Sequence, residues 1–228
     1  MKLLPGFTTQ KPTASGSIFI FNNLAKGALL RLIILFSLLL LLINTSIANT
    51  EKEPPLYKIA TLAGGCFWCI EADFEQLNGV VNVVSGYTGG HIKNPRYSQV
   101  SAGRSGHIEA VEVTYDPNII SYSQILNYFW RHIDPTRNDG QFCDKGLHYR
   151  PAIFYNNNDE KKIILQSARH IEETKTFSEP LKVEYIKAQK FYLAEEYHQD
   201  YYKKNPLRYK YYRYACGRDT RIKFLWGK

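Results

Sequence analysis

Beyond residue 55, apolar residues first cluster in LYKIATLA, near residue 60, and stop at Gly64-Gly65, which predicts a strand ended by a glycine turn. The period then changes. In CFWCIEADFEQLNG, Phe67, Ile70, Phe74 and Leu77 recur at three- and four-residue spacing before Gly79, which predicts a helix. VVNVVSGYTGG predicts a second strand, and HIKNPRYSQVSAGRSG reads as a long polar excursion outside the core. In HIEAVEVTYDP a two-residue period puts Glu109, Val111, Val113 and Tyr115 on one face of a strand. Ile108, Ala110, Glu112 and Thr114 share the other, so Glu109 is aligned with apolar neighbours. SYSQILNYFWRHI predicts an amphipathic helix, DPTRNDGQFCDKGLHYR an irregular connection, and PAIFYN a short strand. DEKKIILQSARHIEETK reads as a further helix, LKVEYIKAQKFYLA as a strand with its exit, and EEYHQDYYKKNP as a short helix ending at Pro206. Strands alternating with helices, without repeats or an internal linker, predict one α/β or α+β sandwich whose strand order is not readable.

A different pattern precedes this. Arg31 is followed by LIILFSLLLLLI, residues 32–43, about the length of a signal-peptide core and short of the ~20 residues a bilayer span needs. Ser46, Ile47 and Ala48 put small residues where an export peptidase favours them, so residues 1–50 are expected to be a leader cleaved after Ala48. An uncleaved membrane anchor from about Ala28, with Arg31 snorkelling, is the rival, and a cytoplasmic protein with a hydrophobic start is the bland alternative. Residues 51–228 are expected to form the folded, exported or periplasmic part. The leader carries Lys2, Lys11, Lys26 and Arg31 and no acid, hence half of the formal +8. The 29 Lys and Arg less these four leave 25 against 21 acidic residues, a mild excess that gives little reason to propose nucleic acid. The basic blocks around Lys203-Lys204 and Arg208 to Arg213 read as a solvated face.

Of the four cysteines, Cys66 and Cys69 form a C-x-x-C pair that fits a redox couple, half a metal site or plain packing. Cys66 falls beside the first helical turn, where free N–H groups and the helix dipole favour a thiolate. Zinc would require two more ligands, from Cys143 with His148 or Cys143 with Cys216, and those spacings match no compact knuckle.

The blocks GGCFWC, GYTGG, NPRYSQV, GHIEAVEVTYDP, CDKGLHYRPAIFY, AEEYHQDYY and CGRD...LWG, seven in order from about Leu56 to the C-terminus, closely resemble the peptide methionine sulfoxide reductase A family. That resemblance implies an α+β two-layer sandwich around a central mixed sheet, here with long irregular connections and a C-terminal tail. It assigns the nucleophile to Cys66, which would attack the sulfur of methionine S-sulfoxide, free or in proteins, and the catalytic acid to Glu109. A carboxyl among apolar side chains suits proton delivery to the sulfoxide oxygen, a poor leaving group until protonated. The resemblance also makes Tyr97 and Tyr149 donors to that oxygen, Asp144 an ordering residue of the pocket, and Phe67 and Trp68 the methyl-binding surface. His107 and His198 are expected in hydrogen-bonding roles, Glu195 and Glu196 at the helix surface or behind the site.

Catalysis would leave a sulfenic acid on Cys66. Cys69, favoured over Cys216, is expected to resolve it, with a relay through both open and Cys143 in a structural block. An external dithiol, thioredoxin or a thioredoxin-like domain, would close the cycle, and no metal or prosthetic group is expected. His148 stands where the family usually has glutamine and Pro151 where a small polar residue is frequent, changes that bear on efficiency more than on reaction type. A monomer is expected, and no fused R-epimer reductase after Trp226. The competing readings are a thiol-disulfide oxidoreductase built on Cys66-Cys69 and a zinc-stabilised interaction module.

Overall fold

The structure, a computed structural model, describes residue 27, residues 29–38 and residues 56–227. The chain divides into two units, Met1–Pro54 and Pro55–Lys228. In the first, residues 29–38 are helical and exposed. The cleavage site expected after Ala48 lies outside the described residues. Among the described residues no helix is long and apolar enough to cross a membrane.

The second unit is built on a six-stranded sheet. Its strands are β1 (Lys58–Ala63), β2 (Val80–Thr88), β3 (Ile108–Tyr115), β6 (Ala152–Tyr155), β7 (Glu184–Lys187) and β8 (Tyr192–Leu193), in the order β7-β6-β1-β3-β2-β8. All neighbours are antiparallel except β6 and β7, so the sheet is mixed. Parallel neighbours need a crossover. Here it contains the helix Asn158–Thr174, the long amphipathic segment expected after PAIFYN. The small hairpin of β4 (Gly140–Gln141) and β5 (Asp144–Lys145) stands apart from this sheet, within the long irregular connection.

Seven helices complete the unit: α1 (Phe67–Phe74), α2 (Tyr97–Ser101), α3 (Tyr122–Trp130), α4 (Asn158–Thr174), α5 (Tyr201–Lys204), α6 (Pro206–Ala215) and α7 (Arg218–Trp226). Leu62, Val111, Val113 and Ile153 face one large core with Phe67, Ile70 and Phe74 of α1, Ile125 and Phe129 of α3, and Ile164 and Ile171 of α4. Their strand neighbours Ala63, Ile108, Ala110, Ala152 and Phe154 form a smaller cluster on the opposite face, as the two-residue period requires. β3 therefore lies centrally between β1 and β2 with apolar packing on both faces, and this is what buries Glu109. Ser121 caps α3 by accepting the Gln124 N–H, and Asn157 caps α4 by accepting the Glu160 N–H at 2.9 Å.

Two local expectations are corrected. The polar excursion holds the short helix α2, whose Val100 is fully buried. The short helix α5 does stop before Pro206, but the chain does not leave helical structure there: Pro206 begins α6, because proline's fixed φ and missing N–H suit a first helical position. The expected C-terminal tail is thus a pair of helices broken at Gly217 (φ +68°), with Arg218, Leu225 and Trp226 buried.

One buried acid marks a pH dependence of stability. Burial pushes Glu71 of α1 up to about 7, although its Oε1 accepts the Asp200 N–H at 3.1 Å. Glu75 and Asp200 nearby add to the rise. With the folded pKa above the unfolded one, the stability tied to its proton is complete at low pH and lost as pH rises through about 7. Glu71→Gln is therefore expected to raise Tm relative to wild type at about pH 8 and to change it little at about pH 4. Thermal melts at both pH values check this, and equal shifts at the two would contradict it.

Candidate active site

The site forms where β1 ends and α1 begins. Gly65 has φ +89°, and a Cβ there would lie 2.6 Å from Cβ of the fully buried Gln141, so the turn admits only glycine without displacement. Gln141 holds the adjoining loop through Asp134, accepting its N–H and donating to its carbonyl, each at 2.8 Å. The turn delivers Cys66 as the residue capping α1, 6% exposed.

Glu109 reaches the same helix start from β3. The Phe67 N–H, one residue beyond Cys66, donates to Glu109 Oε2 at 3.1 Å, which puts carboxyl and thiol side by side at one helix end. Burial drives the Glu109 pKa well above the usual carboxylate range and outweighs this hydrogen bond. Glu109 is thereby kept as a neutral acid.

The expectation of an acidified Cys66 is corrected. Burial raises its pKa well above that of a free thiol, and Cys69, Glu109 and Asp144 add to the rise. The helix-end N–H of Phe67 goes to the carboxyl instead of the sulfur. Cys69, also buried, is lowered, first by the hydrogen bond from Cys66 and then by the positive charges of Arg218 and Arg213, against the cost of burial. The environment thus opposes charge on Cys66 more than on Cys69.

Aromatic side chains wall the thiols. Phe67 is fully buried, and Trp68 is half-buried and stacked on Tyr201 with ring centroids 3.7 Å apart. Trp68 Nε1 donates to His198 Nδ1 at 3.1 Å, which fixes the indole and defines that ring nitrogen as an acceptor. Burial lowers the His198 pKa, so the ring is neutral at pH 7. Tyr97 begins α2 and Tyr149 ends a 3-10 turn (Leu147–Tyr149). Burial and the nearby Glu109 raise both phenols, so each is a neutral donor beside the carboxyl. Glu195 accepts from the Tyr97 N–H and from the Tyr87 hydroxyl, both at 2.8 Å, and so stands behind the site, whereas Glu196 pairs with Lys204 in solvent. His107 is bonded to Gly90 N–H and Ile92 O, remote from proton delivery. His148 is buried against Gly146 and adjacent to Tyr149, within 4.2 Å between ring centroids.

Asp144 arrives from the β4–β5 hairpin, close enough to Cys66 and Glu109 to raise both. Its Oδ2 accepts the Tyr212 hydroxyl at 2.6 Å. Cys143 and Cys216 form a disulfide beside it, across a separation of 73 residues. That bond occupies Cys216, one of the two expected resolvers, and removes both sulfurs from any zinc site with Cys66 and Cys69. Behind the pair, buried Arg218 donates to the carbonyls of Gly64 (3.3 Å) and His132 (2.6 Å), and Arg213 pairs with Asp73 at 2.7 Å.

Tyr201, Tyr212, Gln141 and Arg218 escaped the sequence reading. Arg218 stands in the CGRD block, two residues after Cys216, and that block was a usable signal. Tyr201 stands likewise in the AEEYHQDYY block, whereas Tyr212 offered no signal among seventeen tyrosines.

The family model described as peptide methionine sulfoxide reductase matches residues 58–228. A peptide methionine sulfoxide reductase MsrA/MsrB of Vibrio cholerae is 51% identical over 184 residues, 81% of this chain and 49% of that protein, so the chain spans about half its length. The MsrA 2 of Caulobacter vibrioides is 46% identical over 197 residues, covering 86% of this chain and 98% of that one. The crystal structure of Saccharomyces cerevisiae Mxr1 in reduced form is similar with a TM-score of 0.63 and 29% identity, over 69% of this chain and 91% of that one. With a match running through the whole folded unit, the chain belongs to the peptide methionine sulfoxide reductase family.

Proposed function

We propose that this chain reduces the S-epimer of methionine sulfoxide, free or in accessible protein segments, with Cys66 as nucleophile and Glu109 as acid. Thiol-dependent reduction of methionine sulfoxide is the family's chemistry. The observation that carries the residue assignment is the Glu109 carboxyl bonded to the N–H next to Cys66, both buried under the Tyr97 and Tyr149 phenols.

A sulfoxide sulfur is electrophilic, and its oxygen leaves only when protonated. Cys66 attacks sulfur and forms a transient S–S bond, while Glu109 gives a proton to the oxygen and the proton given up by Cys66 replaces it. Tyr97 and Tyr149 donate hydrogen bonds to that oxygen as its charge grows. Phe67 and Trp68 receive the methyl group. The hydroxyl passes to the Cys66 sulfur as the methionine S–O bond and the transient S–S bond break, so methionine leaves as the thioether and Cys66 is left as a sulfenic acid. Two electrons have moved from sulfur to sulfur without net change in protons. Cys69 then attacks the Cys66 sulfur, releases the oxygen as water and closes a disulfide. Its place three residues on, with Cys66 outside the helical backbone as cap, favours this local closure over Cys216, which is bonded to Cys143. An external dithiol, thioredoxin or a thioredoxin-like protein, returns both thiols by exchange. The apolar run 32–43 supports a site of action outside the cytoplasmic membrane.

Incubating the protein with each sulfoxide epimer and dithiothreitol tests the proposal. The S-epimer is expected to be consumed and the R-epimer to persist. An unchanged S-epimer would overturn it.

A further inference from the structure

Tyr212 stands at the C-terminal wall of the site with no part in the chemistry just described. Its hydroxyl donates to Asp144 Oδ2 at 2.6 Å, and its ring meets Trp68 edge-on at 5.9 Å between centroids. Two covalent neighbours hold this contact in place. Cys143 immediately precedes Asp144, and Cys216 lies four residues after Tyr212, one helical turn along α6, so the Cys143–Cys216 disulfide ties together the two backbones that carry the hydrogen bond. A phenylalanine would give the same packing against Trp68. Only the hydroxyl explains a part-buried contact aimed at a carboxylate.

We propose that Tyr212 is a positioning residue of the reductase site, fixing the Asp144 carboxyl toward the thiol pair. The inference rests on the reading of Cys66 and Glu109 given above. Asp144 is half-buried, and burial pushes its pKa up. The Tyr212 hydrogen bond and the charges of Arg218 on α7 and Lys145 on β5 oppose the rise. The other titratable groups facing Asp144 are Cys66, Glu109 and Tyr149. Of this set only Tyr212 donates a hydrogen bond to the carboxylate, so it sets the direction of the oxygens.

The test compares full-length wild type, Tyr212→Phe, Asp144→Asn and the double variant for S-sulfoxide reduction. Tyr212→Phe is expected to lower kcat/KM about tenfold, the scale for a hydrogen bond to a charged group. The acidic limb of its pH profile should move to higher pH, because Asp144 loses a stabiliser of its charged form. In the Asp144→Asn background the same change should cost less than about twofold, since coupled residues do not act additively. A Tyr212→Phe profile that matches wild type would overturn the proposal, as would a loss of equal size in both backgrounds, the mark of a merely structural tyrosine. Cys66→Ser and Glu109→Gln run alongside separate the two readings. If those variants keep turnover, the site assignment fails. If they lose it while Tyr212→Phe behaves as wild type, only the role of Tyr212 fails.

Discussion

Cys66→Ser is expected to lower sulfoxide turnover by about a thousandfold or more, the scale seen when a nucleophile is removed from a cooperating set. Serine is nearly isosteric with cysteine, so the change tests chemistry and not packing. Its hydroxyl is a far weaker nucleophile toward sulfur, and the neighbouring Cys69 cannot raise it to an alkoxide. Cys69 remains in the variant, three residues along α1 and behind the capping position, so any residual turnover measures how well the second thiol substitutes. The measurement is formation of methionine from S-sulfoxide with dithiothreitol in excess, beside a thermal melt showing that the fold is retained. Turnover within about tenfold of wild type would remove Cys66 from the nucleophile's role.

Replacing Glu109 by glutamine is expected to cost about 10²- to 10⁴-fold in kcat, the range of general-acid catalysis. Glutamine keeps an oxygen for the Phe67 N–H, so the start of α1 should survive. In wild type, burial holds the Glu109 pKa well above the ordinary carboxylate range, and the acid works only while protonated. The rate should therefore fall as pH rises through the folded pKa, and the variant should lack that limb. Stability moves in a related sense. A raised folded pKa contributes stability that is complete below the unfolded value and is lost as pH rises through the folded one, so Glu109→Gln should melt higher than wild type in alkali and about equally in acid. The same variant separates sulfoxide reduction from simple thiol-disulfide exchange. Exchange between Cys66-Cys69 and an external dithiol uses no acid at the oxygen, so it should continue. Equal loss of exchange and of sulfoxide turnover would favour the oxidoreductase reading.

The thiol pair shows how burial and nearby charge reverse a local rule. A cysteine beside a helix start is ordinarily acidified, yet here the position that benefits is Cys69. Cys66 faces Glu109 and Asp144, while Arg218 and Arg213 from the C-terminal helices lie closer to Cys69.

Much of this protein was determined by sequence alone. The two-residue period of β3 set Glu109 in phase with Val111 and Val113, and the change to helical spacing after Gly65 set Cys66 at the head of α1, because side-chain direction follows from backbone period. The motif blocks carried the family and with it the reaction. Tertiary structure decided the rest. Glu109 is a buried acid because β3 pairs with strands on both sides and packs on both faces, a matter of strand order that period cannot express. The Cys143–Cys216 bond and Tyr212 on Asp144 both depend on α6 and the residue that follows it folding back onto a hairpin more than 60 residues earlier. Local signals fade over a few residues, and Pro206, read locally as the stop of α5, is also the start of the helix that brings those groups home.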